Sequence, residues 1–391
     1  MKHDKHEEKR KEILEVAFGI WGANQYRNTS LSELASALDM TKQAIYRYFS
    51  SKEKLEQSMV ERALEVYDVC TSEQLVRMGE LDEDEFVRAY INGSIDLIRK
   101  YGKYLGFLSH RFRNDVVGPA IARDRMVSFN TLAKEKAGIP PVGMRYLNAL
   151  VMCEVHARQG KPSAGEEWEA AWKKGFATER INRSPDFDRM LSDASALDYG
   201  VFAADPLMNA VFEAVMEEAG DDVPLGKIAK KAGLTKSSLY NYWPSKEAML
   251  SDVLDRQVAV FSGLFSKFVV KYTEPADRLF SYIAFTGSFL RRTPEILNYL
   301  QRVMSYGIRP PKDKSIVEKR FIQPLHPILK AGLLDLRGFQ PEELLGLVNL
   351  ASVIEVKHHL VEKSARIRIE QGFKDLYRLI TGGIPALRRT I

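Results

Sequence analysis

Cysteine is scarce in this chain, and its scarcity excludes one class of protein. Cys70 and Cys153 are the only two cysteines among 391 residues, which rules out a disulfide-dense scaffold and favours a reducing, cytoplasmic location. Long apolar runs are missing as well, because no stretch approaches the roughly 20 residues that a membrane-spanning helix needs. The first 12 residues are polar or charged after the initial Met. We therefore expect no secretory signal and no membrane partner.

Sequence patterns for catalysis and metal binding are missing too. The chain has no phosphate-binding glycine loop, dinucleotide fingerprint, nucleophile elbow or zinc-protease motif. Its close histidine pairs are His3 with His6 and His358 with His359. Adjacent histidines on a helix point apart, which favours surface or packing roles over a metal site. We therefore predict that the protein is not an enzyme and that it uses neither a metal ion nor another cofactor.

What the chain does have is an internal repeat. Residues 31–53 read LSELASALDMTKQAIYRYFSSKE, and residues 225–247 read LGKIAKKAGLTKSSLYNYWPSKE. The two segments align without a gap at an offset of 194 residues, and nine of their 23 positions are identical. This period is far longer than the roughly 20–50 residues of a solenoid repeat. The chain is therefore a tandem duplication of a whole protein unit.

Each repeated segment has the pattern of two short helices joined by a tight turn. The apolar residues of 31–38 and of 225–232 recur at helical spacing and define one buried face in each copy. The turn follows at Asp39 and at Gly233, residue types that tolerate a positive φ better than most. No part of either segment has the alternation of a strand.

Hydroxyl residues stand where the next two helices of each segment should begin. Thr41 and Thr235 precede the second short helix, and Ser51 and Ser245 precede a longer one. Such side chains accept hydrogen bonds from the orphan amides of a first helical turn, so we predict them as N-caps. An amphipathic helix also precedes each segment, with these apolar positions: Ile13, Val16, Ala17, Ile20 and Trp21, and then Leu207, Ala210, Val211 and Ala214.

The segments closely resemble the DNA-binding domain of the TetR/AcrR family of transcriptional regulators. The resemblance is carried by LASALDMTKQAIYRYFSSKE at 34–53 and by IAKKAGLTKSSLYNYWPSKE at 228–247. It is specific within residues 10–66 and 205–260. It implies an all-α protein with two TetR-like units in tandem, each a three-helix helix-turn-helix DNA-binding domain followed by a helical-bundle regulatory domain.

The resemblance also implies a double-stranded DNA operator as the partner. In such domains the recognition helix enters the major groove while flanking side chains hold phosphates. The implied DNA-binding residues of the first copy are Thr41, Lys42, Gln43, Ala44, Tyr46, Arg47, Tyr48 and Lys52. Those of the second copy are Thr235, Lys236, Ser237, Ser238, Tyr240, Asn241, Tyr242 and Lys246. Ala44 departs from the family, which commonly has a hydroxyl residue there, so the first copy lacks one phosphate contact.

The local charge agrees with a DNA-facing surface. Residues 227–246 contain five lysines and no acid, and residues 41–54 contain four basic residues against one acid. Basic residues are thus concentrated where the groove-facing surface is expected. The basic residues of 2–11 are interleaved with acids, which favours a solvated helix start over a DNA-binding arm.

Residues 68–200 and 262–391 have helical patterning without a chemical motif. In the family such regions bind an effector and dimerise through two C-terminal helices. Matching pairs of helices are expected at 140–159 with 165–181, and at 341–363 with 366–380. We predict that these four helices pack together as one interface. One chain would then replace the usual homodimer, and further self-association of the fused chain is left open.

An unknown small-molecule effector is the second expected partner. The candidate pocket residues are aromatic or histidine side chains at helical spacing: Tyr90, Phe107, His110 and Phe112, with Tyr282, Phe285, Phe289 and Tyr299. Plain core packing is the alternative interpretation, and it is the one that an aromatic stripe favours for most of them.

We expect four domains and one regulatory function. The helix-turn-helix domains span 1–67 and 201–261, and the helical regulatory domains span 68–200 and 262–391. The expected function is that of a ligand-responsive repressor in which one chain acts as a pseudo-dimer on an imperfect or asymmetric palindrome. The alternatives are a transcriptional activator of the same fold, or a helical binding module in which one helix-turn-helix copy no longer binds DNA.

Overall fold

The computed structural model describes residues 2–23, 30–112, 120–157, 165–181, 183–199, 205–217, 224–293, 330, 332–363 and 366–388. These residues form 16 helices and no strand; the only β-bridge among them joins Ala177 and Leu334. The expected all-α class is confirmed. Within these ranges no helix is long and apolar enough to cross a membrane.

The first compact unit spans Met1–Leu132. Its helices are α1 (Lys2–Ala23), α2 (Leu31–Ala37), α3 (Lys42–Tyr46), α4 (Lys52–Met78), α5 (Glu83–Arg111) and α6 (Ala120–Ala137), the last of which runs past the unit boundary. We call residues 2–59 the first head.

The core of the first head is built from one face of each of its helices. Ile45 on α3 and Leu34 on α2 are fully buried against α1, which contributes Phe18. Helix α5 closes the same core, since Phe107 lies edge-on to Phe18 with ring centroids 5.4 Å apart. The first head is thus continuous in its packing with the helix that follows α4.

The second compact unit spans Ala133–Ile391. Its helices are α7 (Pro141–Ala157), α8 (Gly165–Lys174), α9 (Phe187–Ser195), α10 (Pro206–Glu217), α11 (Leu225–Lys231), α12 (Lys236–Leu239), α13 (Lys246–Val269), α14 (Pro275–Arg292), α15 (Pro341–Val361) and α16 (Arg366–Arg388). We call residues 205–253 the second head.

The second head repeats the core of the first. Ten of its buried residues lie 194 positions after a buried residue of the first head: Met208, Val211, Phe212, Val215, Ile228, Ala229, Leu239, Trp243, Met249 and Val253. Ala214 is also buried, and its counterpart Ile20 is half-buried. The predicted stripe of α10 is confirmed in part: Val211 and Ala214 are buried, whereas Leu207 and Ala210 are half-buried and Met208 and Phe212 take their places in the core. The two heads differ in length, since α1 has 22 residues and α10 has 12.

Helices α7, α8, α15 and α16 pack on one another within the second unit. This is the four-helix arrangement that the sequence predicts, although α8 ends at Lys174 and α16 continues to Arg388. Its core holds an ion pair: the Arg145 guanidinium of α7 donates to both carboxylate oxygens of Glu355 on α15, at 2.6 and 2.9 Å. His359 lies 2.8 Å from the same carboxylate.

The compact units do not reproduce the four expected domains one for one. Helices α4 and α13 run without a break across the boundaries expected at residues 67 and 261, because each joins the core of its head to the helix that follows. The division into four domains stays a prediction.

Candidate nucleic-acid interface

The turn between the two short helices has the same backbone conformation in both heads. Asp39 has a φ of 50° and Gly233 a φ of 67°, as expected for these two positions. The next residue closes the turn in each case: Met40 N–H donates to the carbonyl of Ala35 at 2.9 Å, and Leu234 N–H makes the corresponding bond. This αL residue ends the first helix and sets the direction of the second.

All four predicted N-caps are present. The Thr41 hydroxyl accepts from the N–H of Ala44 at 3.1 Å, and the Thr235 hydroxyl accepts from the N–H of Ser238 at 3.1 Å. The longer helices α4 and α13 begin in the same way at Ser51 and Ser245. A cap bond of this kind satisfies an amide that the helix itself leaves unpaired.

The short helices α3 and α12 are held by two apolar anchors each. Ile45 and Phe49 are buried in the first head, and Leu239 and Trp243 take the same places in the second. These anchors turn the remaining side chains of each helix outward. The exposed residues are Thr41, Lys42, Gln43, Tyr46 and Arg47 in the first head, and Thr235, Lys236, Ser237, Tyr240 and Asn241 in the second.

Position 44 and its counterpart differ in chemistry. Ala44 and Ser238 are both half-buried at the end of the first helical turn. The Ser238 hydroxyl lies 2.8 Å from the Thr235 hydroxyl, so two hydroxyl groups adjoin the N-terminus of α12, while α3 has only that of Thr41.

Two segments of the chain match the family described as bacterial regulatory proteins of the tetR type. The matched residues are 13–59 and 211–253, and each match covers the caps, turn and anchors of one head. The chain therefore contains two TetR-type segments in tandem. A search of curated proteins finds no match to it.

The second tyrosine of the TetR-type motif has different surroundings in the two heads. Tyr48 is half-buried and stacks on the ring of His6, with centroids 4.8 Å apart. Tyr242 is 59% exposed and touches only the edge of the neighbouring Trp243 among the ring contacts of the described residues. The first tyrosines, Tyr46 and Tyr240, are alike at 47% and 51% exposed.

The lysines of the TetR-type motif are the first residues of α4 and α13. Lys52 lies with its Nζ 5.7 Å from the centre of the Trp21 ring and 3.8 Å from Glu56. Lys246 is half-buried at the same position of the second head. In each head the predicted residues thus run from the cap of the second short helix to the first residue of the long helix.

Arg10 was not predicted as part of the site, yet it supports the first head. Its guanidinium donates to the carbonyl of Tyr48 at 2.6 Å and lies 4.4 Å from the centre of the Phe49 ring. The prediction of a solvated helix start is therefore wrong for Arg10. One signal could have found it: Arg10 lies one helical turn before Leu14, on the face of α1 that packs inward.

The second head has no such arginine and uses a different support. The indole N–H of Trp243 donates to Asp252 at 2.9 Å. Arg256 joins this carboxylate to Asp205 at the start of α10, at 3.1 and 3.0 Å. The position of Asp252 is taken by Ser58 in the first head.

The aromatic residues suggested for an effector pocket lie in packed cores where the structure describes them. Tyr90 and Phe107 are buried in the first unit, and Phe112 is half-buried beside the core of the first head. In the second unit Tyr282, Phe285 and Phe289 are buried. The side chain of His110 and the whole of Tyr299 lie outside the described residues. Their surroundings agree with the core interpretation, and a ligand role stays a prediction.

The described residues contain no group of three or more histidine, cysteine or acidic side chains that could hold a metal ion. His359 has a packing role, since its Nε2 contacts the buried Glu355. His358 is partly exposed and pairs with Glu362 at 3.2 Å.

Proposed function

We propose that the chain is a ligand-responsive transcriptional repressor whose two TetR-type heads bind the two unlike halves of one operator. The single chain then does what a pair of identical subunits does in symmetric helix-turn-helix proteins, with half-sites about one turn of B-DNA apart. Binding of a small molecule shifts the population of helix arrangements and lowers the affinity for DNA.

The observation that carries this proposal is the division of each head into shared and unshared residues. The caps, turns, anchors and leading lysines are the same or equivalent in both heads. Two exposed positions differ, Gln43 against Ser237 and Arg47 against Asn241, and so does the half-buried position of Ala44 and Ser238. Phosphate contacts position a protein on DNA, whereas contacts to base edges specify the sequence. Heads that share the former and differ in the latter fit an asymmetric operator.

The packing of α7 and α8 against α15 and α16 supports the pseudo-dimer part of the proposal. The helices come from the two repeated halves of one chain, and they bury the apolar faces that would otherwise need a second subunit.

Selection of bound sequences from random DNA tests the asymmetry. The full chain should enrich a site with two different half-sites. A matched variant carries the second head's residues in the first: Gln43→Ser, Ala44→Ser and Arg47→Asn. It should enrich a symmetric palindrome of the second half-site. A palindrome from the unaltered chain would contradict the proposal, and a single half-site would support the alternative in which one head no longer binds DNA.

Removal of the leading lysines tests the phosphate contacts. Lys52→Ala and Lys246→Ala should each weaken binding to all sequences and flatten the salt dependence by about one phosphate, a slope change of roughly 0.9. Lys134→Ala is the control, because this exposed lysine on α6 lies outside both heads. A lysine variant with the control's affinity and slope would show that its head does not hold the backbone.

The sign of regulation is tested with a reporter promoter that contains the selected operator. A repressor lowers transcription from it, and addition of the effector restores it. Transcription that rises with the protein would identify an activator of the same fold.

A further inference from the structure

The first unit contains a pocket of about 600 Å³ between α4 and α5. It is partly open to solvent, and none of the aromatic residues suggested from the sequence lines it. Its walls are Cys70, Glu73, Gln74 and Arg77 from α4, with Gly93, Asp96, Leu97, Arg99, Lys100 and Tyr101 from α5. Three of these side chains are basic and two are acidic, so the pocket carries a net positive charge.

We propose that this pocket is the effector site of the chain and that it binds one small organic anion with an apolar part. This inference rests on the ligand response proposed above and gives it a location, a ligand class and a stoichiometry. Arg77 and Lys100 supply the positive charge at the rim, and Leu97 with the ring of Tyr101 supplies an apolar wall.

At the floor of the pocket a polar side chain packs against a glycine. A Cβ atom at Gly93 would lie 2.9 Å from the Gln74 amide nitrogen, so only glycine leaves room for that side chain. The amide nitrogen reaches the Tyr90 carbonyl at 3.5 Å and the Ser94 hydroxyl at 3.4 Å, which are long distances for hydrogen bonds. The floor is therefore polar and weakly bonded, unlike an ordinary core.

The second half fills the corresponding space with aromatic rings. Gln74 corresponds to Phe268 at the offset of the heads, and Gly93 corresponds to Phe285 when Tyr90 is aligned with Tyr282. The ring centroids of Phe268 and Phe285 are 5.7 Å apart, so the pair in contact in one half is also in contact in the other. The rings of Phe261, Phe265 and Phe289 complete this cluster. Among the described residues this space is therefore open only in the first half, and we assign the effector site to that half.

The pocket is connected to the first head through a kink in α5. Tyr101, at the pocket wall, has a non-helical φ of −116° and ψ of 15°. In the next turn the hydroxyl of Tyr104 and the ammonium of Lys103 both bind Glu15 on α1 at 2.5 Å. A ligand that changes the kink must move these contacts, and with them the helix against which α3 packs.

Thiol chemistry at Cys70 tests the ligand class without knowledge of the natural effector. The other cysteine, Cys153, is buried and is replaced by serine in the full-length chain. The probes are 2-sulfonatoethyl and 2-(trimethylammonio)ethyl methanethiosulfonate, which are close in size and opposite in charge. The Cys70 thiolate attacks the sulfenyl sulfur, a mixed disulfide forms, and methanesulfinate leaves with the electron pair of the broken S–S bond.

The anionic reagent should modify Cys70 about fivefold faster than the cationic one, relative to free cysteine, because a positive cleft concentrates anions. Arg77→Gln with Lys100→Gln should reverse the preference, because one basic and two acidic side chains then line the pocket. Leu264→Cys is the matched control in a chain without the native cysteines, because it occupies the position of Cys70 in the filled half; it should react slowly and without charge preference. A faster cationic reagent at the unaltered pocket, or an anionic preference that survives loss of both basic residues, would overturn the ligand class. A cysteine at Leu264→Cys that reacts as fast as Cys70 would contradict the assignment of a single effector site.

The anionic adduct should also lower operator affinity about tenfold, within the usual range of coupling between two sites. Hydrogen exchange of α1 and α3 gives a second readout that needs no DNA, and exchange should rise in the modified chain. Unchanged affinity and exchange would mean that the pocket is not an effector site. Faster exchange in a chain that binds no DNA would preserve the pocket and its coupling while refuting the proposed regulatory function.

Discussion

The first and second heads have the same backbone plan and different means of supporting it. Both place an αL residue, a threonine cap and two buried anchors in the same order. The first head braces its second anchor, Phe49, with Arg10 from a longer α1. The second braces Trp243 with Asp252 from its own α13. The duplication has thus kept the residues that fix the recognition helix, while the residues around them have diverged.

The two repeated halves also support a corresponding buried glutamate by different contacts, on α7 in the first half and on α15 in the second. Glu154 on α7 is 1% exposed and accepts a hydrogen bond from the indole N–H of Trp168 at 2.8 Å. Glu355 occupies the corresponding place on α15 and is bound by Arg145 from the other half. Glu154 thus accepts from a neutral donor close in sequence, whereas Glu355 accepts from a charged donor distant in sequence and also contacts His359.

The largest expected effect comes from breaking the charged pair. Arg145→Ala should destabilise the second unit by about 3–5 kcal/mol, because it removes the guanidinium charge from the buried Glu355 carboxylate, which then keeps only its contact with His359. Trp168→Phe, which removes the neutral donor to Glu154, should cost about 1–3 kcal/mol. Urea unfolding of the full chain, followed by circular dichroism, measures both.

A double variant serves as the control for this comparison. Arg145→Ala combined with Glu355→Gln should recover part of the loss, since no charge is then left buried without a partner. A greater loss in Trp168→Phe than in Arg145→Ala would contradict the difference between the two glutamates.

Acid should destabilise the protein by protonating the buried carboxylate of Glu355. Burial by itself raises the pKa of Glu355, but hydrogen bonds and charge from His359 and Arg145 outweigh it and lower the pKa from 4.5 to about 2. A carboxyl with a lowered pKa contributes stability above its ordinary pKa and loses it as the pH falls towards the folded value. The unfolding midpoint should therefore drop between pH 4.5 and about 2, and the drop should be shallower in Glu355→Gln. Parallel acid curves for the two proteins would refute this assignment.

The contacts that support Phe49 in the first head and Trp243 in the second should stabilise the two heads independently. Arg10→Ala removes a cation–π contact and a hydrogen bond from a charged donor, a loss of about 1–2 kcal/mol in the first head. Asp252→Asn keeps an acceptor for Trp243 but loses the ion pair with Arg256, a loss of about 0.5–1 kcal/mol in the second. Hydrogen exchange resolved by segment should report each loss in α3 or α12 alone. Reduced protection of both helices by either change would mean that the heads are not supported independently.

The turn residues offer the smallest and cleanest contrast. No atom lies within 4 Å of a Cβ added at Gly233, so Gly233→Ala tests the backbone alone and should cost about 1 kcal/mol. Asp39→Gly at the equivalent position should stay within about 0.5 kcal/mol, because aspartate already tolerates αL. Hydrogen exchange of the second head measures the effect of Gly233→Ala, and hydrogen exchange of the first head measures the effect of Asp39→Gly. A cost at Asp39 equal to that at Gly233 would remove the distinction.

The local features of the heads were predictable from the sequence, and the long-range ones were not. Thr41, Ser51 and their counterparts act on amides three residues away, so a short motif contains the whole interaction. Arg10 reaches a carbonyl 38 residues distant, and Arg145 reaches a carboxylate 210 residues distant. No spacing rule links such partners.

The effector residues were harder to predict for a different reason. A helical stripe of aromatics such as Phe285 and Phe289 has the same spacing in a filled core and in a pocket wall. What distinguishes the first unit is a polar side chain, Gln74, packed against Gly93, where the second unit has the rings of Phe268 and Phe285. A cavity depends on what two helices leave out, and this is visible only when they are placed together.

The four packed helices α7, α8, α15 and α16 have a consequence for assembly. Because they belong to one polypeptide, their association is intramolecular, and dilution does not separate them. Two copies of the chain therefore need not exchange halves to complete this bundle.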